Sequence, residues 1–218
     1  MAAPSGFAQP SSVPSAFNNS GAITASYDHE NISHNELARL RAGDVISHVW
    51  RDKSRNDGAI DAFAAVEILA SPELIWSVMT SCEKTIEVVS EMKSCEVLET
   101  SGDGRWDIRE QSFRTPFPLD DLRTIFRTEF TPFHQIKIIG MGGDMKVQEG
   151  LWQLTPLEDG RVRVTYRASL QPKFPTPRFL LRRAVRTDTP KLMKALKRVT
   201  EDLKNKTKTD PFEGNSLQ

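Results

Sequence analysis

The feature that most constrains this chain is a change of period. Over residues 95–170, short runs alternate apolar and polar side chains between turn residues; from 178 onward, apolar residues recur at helical spacing. In 161–170, Val162, Val164, Tyr166, Ala168 and Leu170 point one way and Arg161, Arg163, Thr165, Arg167 and Ser169 the other. That two-residue period marks a strand with one face in a core. Leu122, Thr124, Phe126, Thr128 and Phe130 make the same pattern, as do Trp106, Ile108, Glu110 and Ser112. Past Pro172, Pro175 and Pro177, Leu192, Leu196, Val199 and Leu203 fall at i, i+4, i+7 and i+11, the stripe of an amphipathic helix. A run of strands followed by one long helix predicts an α+β fold, with the helix laid over one face of an antiparallel sheet.

The remaining punctuation fills in the order. Residues 36–41 suit a short helical turn, and 44–50 and 59–69 a strand pair with Asp57-Gly58 in the turn between them. Ser71 is placed to cap, and Pro72 to open, a short helix whose stripe is Leu74, Ile75, Val78 and Met79. A second short helix follows over 83–89, then strands over 95–100, 105–113, 122–130, 135–139 and 146–154. Gly140, Gly142 and Gly143 lack the Gly-Lys-Ser/Thr of a phosphate loop and mark a sharp turn or bulge. Pro190 kinks the long helix or divides it, with Asp188 or Thr189 available to cap a second part. Residues 1–35, rich in Ala, Pro, Ser, Asn and Gly, read as a disordered arm; 36–204 as the folded domain; 205–218 as a flexible tail.

The local text carries a resemblance. Ala70-Ser-Pro-Glu-Leu-Ile-Trp-Ser-Val-Met-Thr80, Lys93-Ser-Cys-Glu-Val-Leu-Glu99 and Glu149-Gly-Leu-Trp-Gln-Leu-Thr-Pro-Leu157 resemble three successive segments of the START and polyketide cyclase/dehydrase superfamily, over roughly 43–203. Among its members the chain looks most like the coenzyme Q-binding START-type bacterial proteins. The resemblance implies a helix-grip fold: a curved antiparallel sheet wrapped around a long C-terminal helix, with two short helices after the first strands. It also implies binding or transport of an apolar small molecule (lipid, quinone or polyketide-like) in a cavity between sheet and helix. Only some members catalyse, and no universal catalytic motif exists to carry over, so no catalytic residue and no cofactor is expected. The alternatives are an aromatase/cyclase-type enzyme acting on such a ligand and a ribosome or protein partner bound through the basic helix.

Trp106, Ile108, Phe126, Ile138, Trp152 and Tyr166 on the strands, with Phe179, Leu192 and Leu196 on the helix, either wall such a cavity or fill the core. Glu110 shares the Trp106 face; pointed inward it orients a ligand or moves a proton, and otherwise it pairs with Arg109 or Arg127 or lies in solvent. Cys82 and Cys95, thirteen positions apart, are either two free thiols or a disulfide stapling the helix pair to the sheet. The resemblance leans to the bond, since similar bacterial proteins with such a pair are often exported. His29, His34, His48 and His134 show no metal-ligand spacing, so no metal is expected.

Lys and Arg balance Asp and Glu over the whole chain, which gives no reason to expect DNA. Residues 173–208, however, hold twelve Lys or Arg against three acids. Arg182, Arg183 and Arg186 in that segment suit transient contact with an anionic membrane surface. No apolar run is long enough to span a membrane. The compartment stays open: exported if a leader has been removed, cytoplasmic otherwise.

Overall fold

The first helix starts from a reciprocal cap. The Ser33 hydroxyl accepts from the Glu36 N–H, and the Glu36 carboxylate accepts from the Ser33 N–H, opening α1 (His34–Arg41). The computed structural model describes residues 32–52, 55–115 and 120–209. β1 (Ile46–Trp50) and β2 (Ile60–Ile68) pair antiparallel. α2 (Pro72–Thr80) then begins as its sequence directs, with Pro72 in the first turn and Ser71 Oγ accepting from the Leu74 N–H. Ser81 ends that helix and caps α3 (Cys82–Val88) by accepting from the Lys84 N–H. β3 (Met92–Thr100), β4 (Trp106–Phe113), β5 (Leu122–Thr131), β6 (Gln135–Gly143), β7 (Met145–Pro156) and β8 (Val162–Pro172) follow, and α4 (Arg178–Thr209) closes the fold.

The strands form one antiparallel sheet in the order β1-β2-β8-β7-β6-β5-β4-β3. This is the helix-grip arrangement. Every residue of β2 is buried. Toward α4, Ala64, Val66 and Ile68 of β2 and Val162 and Val164 of β8 meet Met193, Leu196 and Val199. On the opposite face Phe63 and Ala65 meet Ile46 and, from α1, Leu40. Two lysines of α4 clasp the end of β2: Lys197 Nζ donates to the Glu67 carbonyl at 2.8 Å and Lys204 Nζ to the Leu69 carbonyl at 2.6 Å. The Glu67 carboxylate is fully buried and ion-paired to Arg161 at 2.8 Å and Arg163 at 2.7 Å.

Four details differ from the sequence expectations. α4 runs unbroken through Pro190, because the apolar stripe holds the helix to the sheet on both sides of the proline. β6 and β7 extend until only Asp144 separates them. There Gly143 has φ +79°, and a Cβ would stand 2.3 Å from the Arg123 carbonyl oxygen, so only glycine fits. The bulge falls where the β5–β6 register shifts between Ile125 and Phe126. Ser33, His34 and Asn35, assigned to the arm, belong to α1 and its cap, Ile32 before them is buried, and residues 205–209, assigned to the tail, continue α4. The rest of that arm, up to residue 31, and residues 210–218 lie outside the described residues.

Cys82 and Cys95 are joined, tying the first turn of α3 to edge strand β3. Replacing both cysteines with serine should lower stability by about 3 kcal/mol through the freed loop entropy. Urea unfolding with and without reductant measures this. An unchanged midpoint would mean the link constrains nothing.

Candidate ligand-binding face

Register decides which alternate residues lie beneath α4. Tyr166 stands opposite Trp152, with the rings stacked 4.1 Å apart. Trp152 stands opposite Ile136, and Ile136 opposite Phe130. All four join the core cluster that contains Met193, Leu196 and Val199 of α4, so theirs is the concave face. Thr124, Phe126 and Thr128 lie on the Phe130 face of β5, and their partners across β4 are Gln111, Arg109 and Asp107. The concave face therefore has an apolar part on β6, β7 and β8 and a polar strip on β4 and β5.

Asp107 and Arg109 anchor that strip. Both are 5% exposed. Arg109 Nε donates to the Asp107 carboxylate at 3.0 and 2.9 Å and Nη2 donates at 2.6 Å, while Nη2 also reaches the Thr80 carbonyl at the end of α2 at 2.9 Å. The Arg109 guanidinium lies 5.8 Å from the Phe130 ring centre. Gln111 Nε2 donates to Cys95 Sγ at 3.7 Å, which sets the disulfide at the border of the strip. Three more buried polar atoms of this face, Thr124 Oγ1, Thr128 Oγ1 and Gln148 Oε1, have no hydrogen-bond partner among the described residues. Burial pushes the Tyr166 phenol up to about 12, yet the residue keeps part of its surface accessible. Tyr166 is thus a half-buried member of the concave face, packed against the core beneath α4.

Of the residues singled out by sequence, Ile138, Trp152, Tyr166, Leu192 and Leu196 come together in one cluster, and Phe126 lies on the same sheet face. Trp106, Ile108 and Glu110 do not. They occupy the convex face, where the Arg127 guanidinium sits 4.2 Å over the Trp106 ring and Glu110 is ion-paired to Arg123. That hydrogen bond from Arg123 holds the Glu110 carboxyl below its ordinary range. Phe179 does not join the cluster: it is 71% exposed in the first turn of α4. Alternation sorts β4 into two sets without saying which is inside. The apolar set lies outward under arginine, and the charged set lies inward because its charges neutralise each other. The readable signal for Asp107 and Arg109 was opposite charges two residues apart on one strand face.

The family described as polyketide cyclase/dehydrase and lipid transport matches residues 68–197, more than half of the chain. No curated protein matches by sequence. A START superfamily protein from Mycobacterium smegmatis is 21% identical with a TM-score of 0.57, over 74% of this chain and 99% of that one. A fragment of a STAR-related lipid transfer protein from Xanthomonas axonopodis is 16% identical with a TM-score of 0.61, over 72% and 93%. The Zhui aromatase/cyclase from Streptomyces sp. R1128 is 12% identical with a TM-score of 0.55, over 72% and 94%. These likenesses show a shared fold.

Arg109→Met leaves Asp107 buried and unpaired, and should lower stability by about 3 kcal/mol or more, whereas Arg109→Met combined with Asp107→Leu recovers most of the loss. A double-mutant cycle in urea checks this; additive losses would mean the pair is not coupled. The raised Tyr166 pKa stabilises the fold fully below the unfolded value near 10, and this contribution is lost as pH rises through about 12. Absorbance titration at 295 nm should show a late tyrosinate step that Tyr166→Phe removes.

Proposed function

The chain belongs to the polyketide cyclase/dehydrase and lipid transport family, and on that premise we propose that it binds and carries a hydrophobic small molecule against the concave face of its sheet, beneath α4. The observation that carries this reading is the set of buried polar atoms without a hydrogen-bond partner among the described residues on the concave face, Thr124 Oγ1 and Thr128 Oγ1 in the polar strip and Gln148 Oε1 on β7, next to its apolar part. Buried polar groups are nearly always paired, so three of them on one sheet face are consistent with a ligand that supplies the partners. In this reading the apolar body of the ligand lies on Phe126, Ile138, Trp152 and Tyr166. Its polar end meets Gln111 and Arg109, whose Nη1 makes no hydrogen bond to the described residues. The Asp107 carboxylate keeps Arg109 fixed and offsets its charge, so the site suits a neutral or weakly polar end group.

A lipid, a quinone such as coenzyme Q and a polyketide all meet these demands. A cyclase-type reaction on the same face would use Tyr166, which at neutral pH donates a proton and does not accept one. Glu110 takes no part, because it faces the other way. Arg182, Arg183 and Arg186 are exposed along the first half of α4 and suit docking to an anionic membrane for loading and release.

Organic extraction of the purified protein followed by mass spectrometry should yield a stoichiometric apolar compound and name its class. The protein should also enhance the fluorescence of N-phenyl-1-naphthylamine. Ile138→Trp, which fills the recess, should abolish that enhancement with the circular dichroism unchanged, while Glu110→Gln retains it. A protein that carries nothing and takes up no probe would overturn the reading.

A further inference from the structure

A cleft of about 360 Å³ opens at one end of the sheet, where the β1–β2 connection, the start of β7, the end of β8 and the first turn of α4 meet. Four exposed cations line it: Arg51, Lys146, Lys173 and Arg178. None of them is ion-paired to a carboxylate among the described residues. The carboxylate in the lining, Asp57, is already engaged, with Oδ1 accepting from the Ala59 N–H at 2.9 Å and Oδ2 held by Arg55 at 2.6 Å. The first turn of α4 carries no acid, so the positive end of the helix dipole adds to the same potential. At the cleft wall Gln171 Oε1 is buried and unpartnered. Exchanging the oxygen and nitrogen of that amide leaves its shape unchanged and would present a donor there instead. The cleft is thus a concave site whose four cations form no ion pair among the described residues, although Lys146 acts on Asp57 at longer range, and whose one lining carboxylate is engaged by Arg55.

Its rim is apolar. Phe179 is 71% exposed and Leu180 46%, both next to Arg178 in α4. Met141, 57% exposed, lies on the β6 arm of the β6–β7 hairpin, which is tied to the cleft by the Lys173 N–H donating to the Asp144 carbonyl at 2.7 Å. Exposed apolar side chains close to a basic hollow suit the boundary between lipid headgroups and acyl chains. One arginine fork satisfies a carboxylate, whereas several separate cations around one hollow suit a tetrahedral, multiply charged anion. We propose that this cleft binds the phosphate of an anionic lipid headgroup while Phe179 and Leu180 enter the headgroup layer. These residues are distinct from those of the concave face, so failure of one reading is distinguishable from failure of the other.

The test is flotation of the full chain with phosphatidylcholine vesicles, with and without about one-fifth phosphatidic acid, at low and moderate salt. Binding should require phosphatidic acid. Lys146→Glu and Lys173→Glu should each weaken it by about fivefold or more, the effect expected for one cation at an anionic surface. Phe179→Ser with Leu180→Ser should weaken it at all salt concentrations. Lys206→Glu, about 40 Å away along α4, is the charge-matched control and should float as the parent does. Uptake of N-phenyl-1-naphthylamine should stay unchanged in the Lys146 and Lys173 variants, which also shows that they fold. Cleft variants that float as the parent does would overturn the proposal. So would a chain that never floats but binds glycerol 3-phosphate through Lys146 and Lys173, since the cleft would then serve a soluble phosphate.

Discussion

Strand β2 is buried on both faces along its whole length, and this burial dictates what surrounds it. A strand covered on one side needs a single partner layer; β2 needs two. Its Ala62, Ala64 and Ala65 present little bulk, so α4 on one side and the α1 segment on the other come close to the backbone. At its end Glu67 has no access to water, and a buried carboxylate is tolerable only when its charge is met. Arg161 and Arg163 meet it, and Lys197 takes the carbonyl of the same residue. The helix is thereby fixed in position along the strand as well as in distance from it.

The other half of the sheet is built differently. No described helix covers the convex face of β4 and β5, where Arg123 and Arg127 lie over Glu110 and Trp106. The concave side there is roofed by α2. Trp76 sets its edge against Phe130 and Phe133 at 5.8 and 5.7 Å, and the Thr80 carbonyl accepts from Arg109. The disulfide holds α3 against β3 at the margin of this roof. One half of the molecule is thus packed on both sides and the other half is spanned, and the polar strip of β4 and β5 lies under the span.

Much of the frame was legible because local rules acted without tertiary competition. Ser71-Pro72 started a helix, the alternation in β5 and β8 assigned the correct faces, and the Leu192–Leu196–Val199–Leu203 stripe lay on the core. What failed was β4, where hydrophobicity and burial part company. Trp106 and Ile108 read as core side chains, but cross-strand register sends them outward, and register is a property of two strands that no single strand displays. The same limit hid Asp107 and Arg109, whose burial depends on each other and on a backbone carbonyl from a distant helix. Phe179 read as a wall residue, but it lies in the first turn of α4 and is 71% exposed.

Pro190 gives α4 a mechanical character that its continuous outline conceals. Proline has no N–H, so the Arg186 carbonyl loses its donor inside the helix and the rod has one soft point. C-terminal to that point, Met193, Leu196, Val199 and the two lysine clasps weld the helix to β2 and its neighbours. N-terminal to it, the buried anchorage reduces to Val185 and Thr189, with Leu181 half-buried beside them. The helix is therefore a lever with a clamped arm and a compliant arm. The two arms are held unequally, and the missing hydrogen bond at Pro190 lies at the boundary between them.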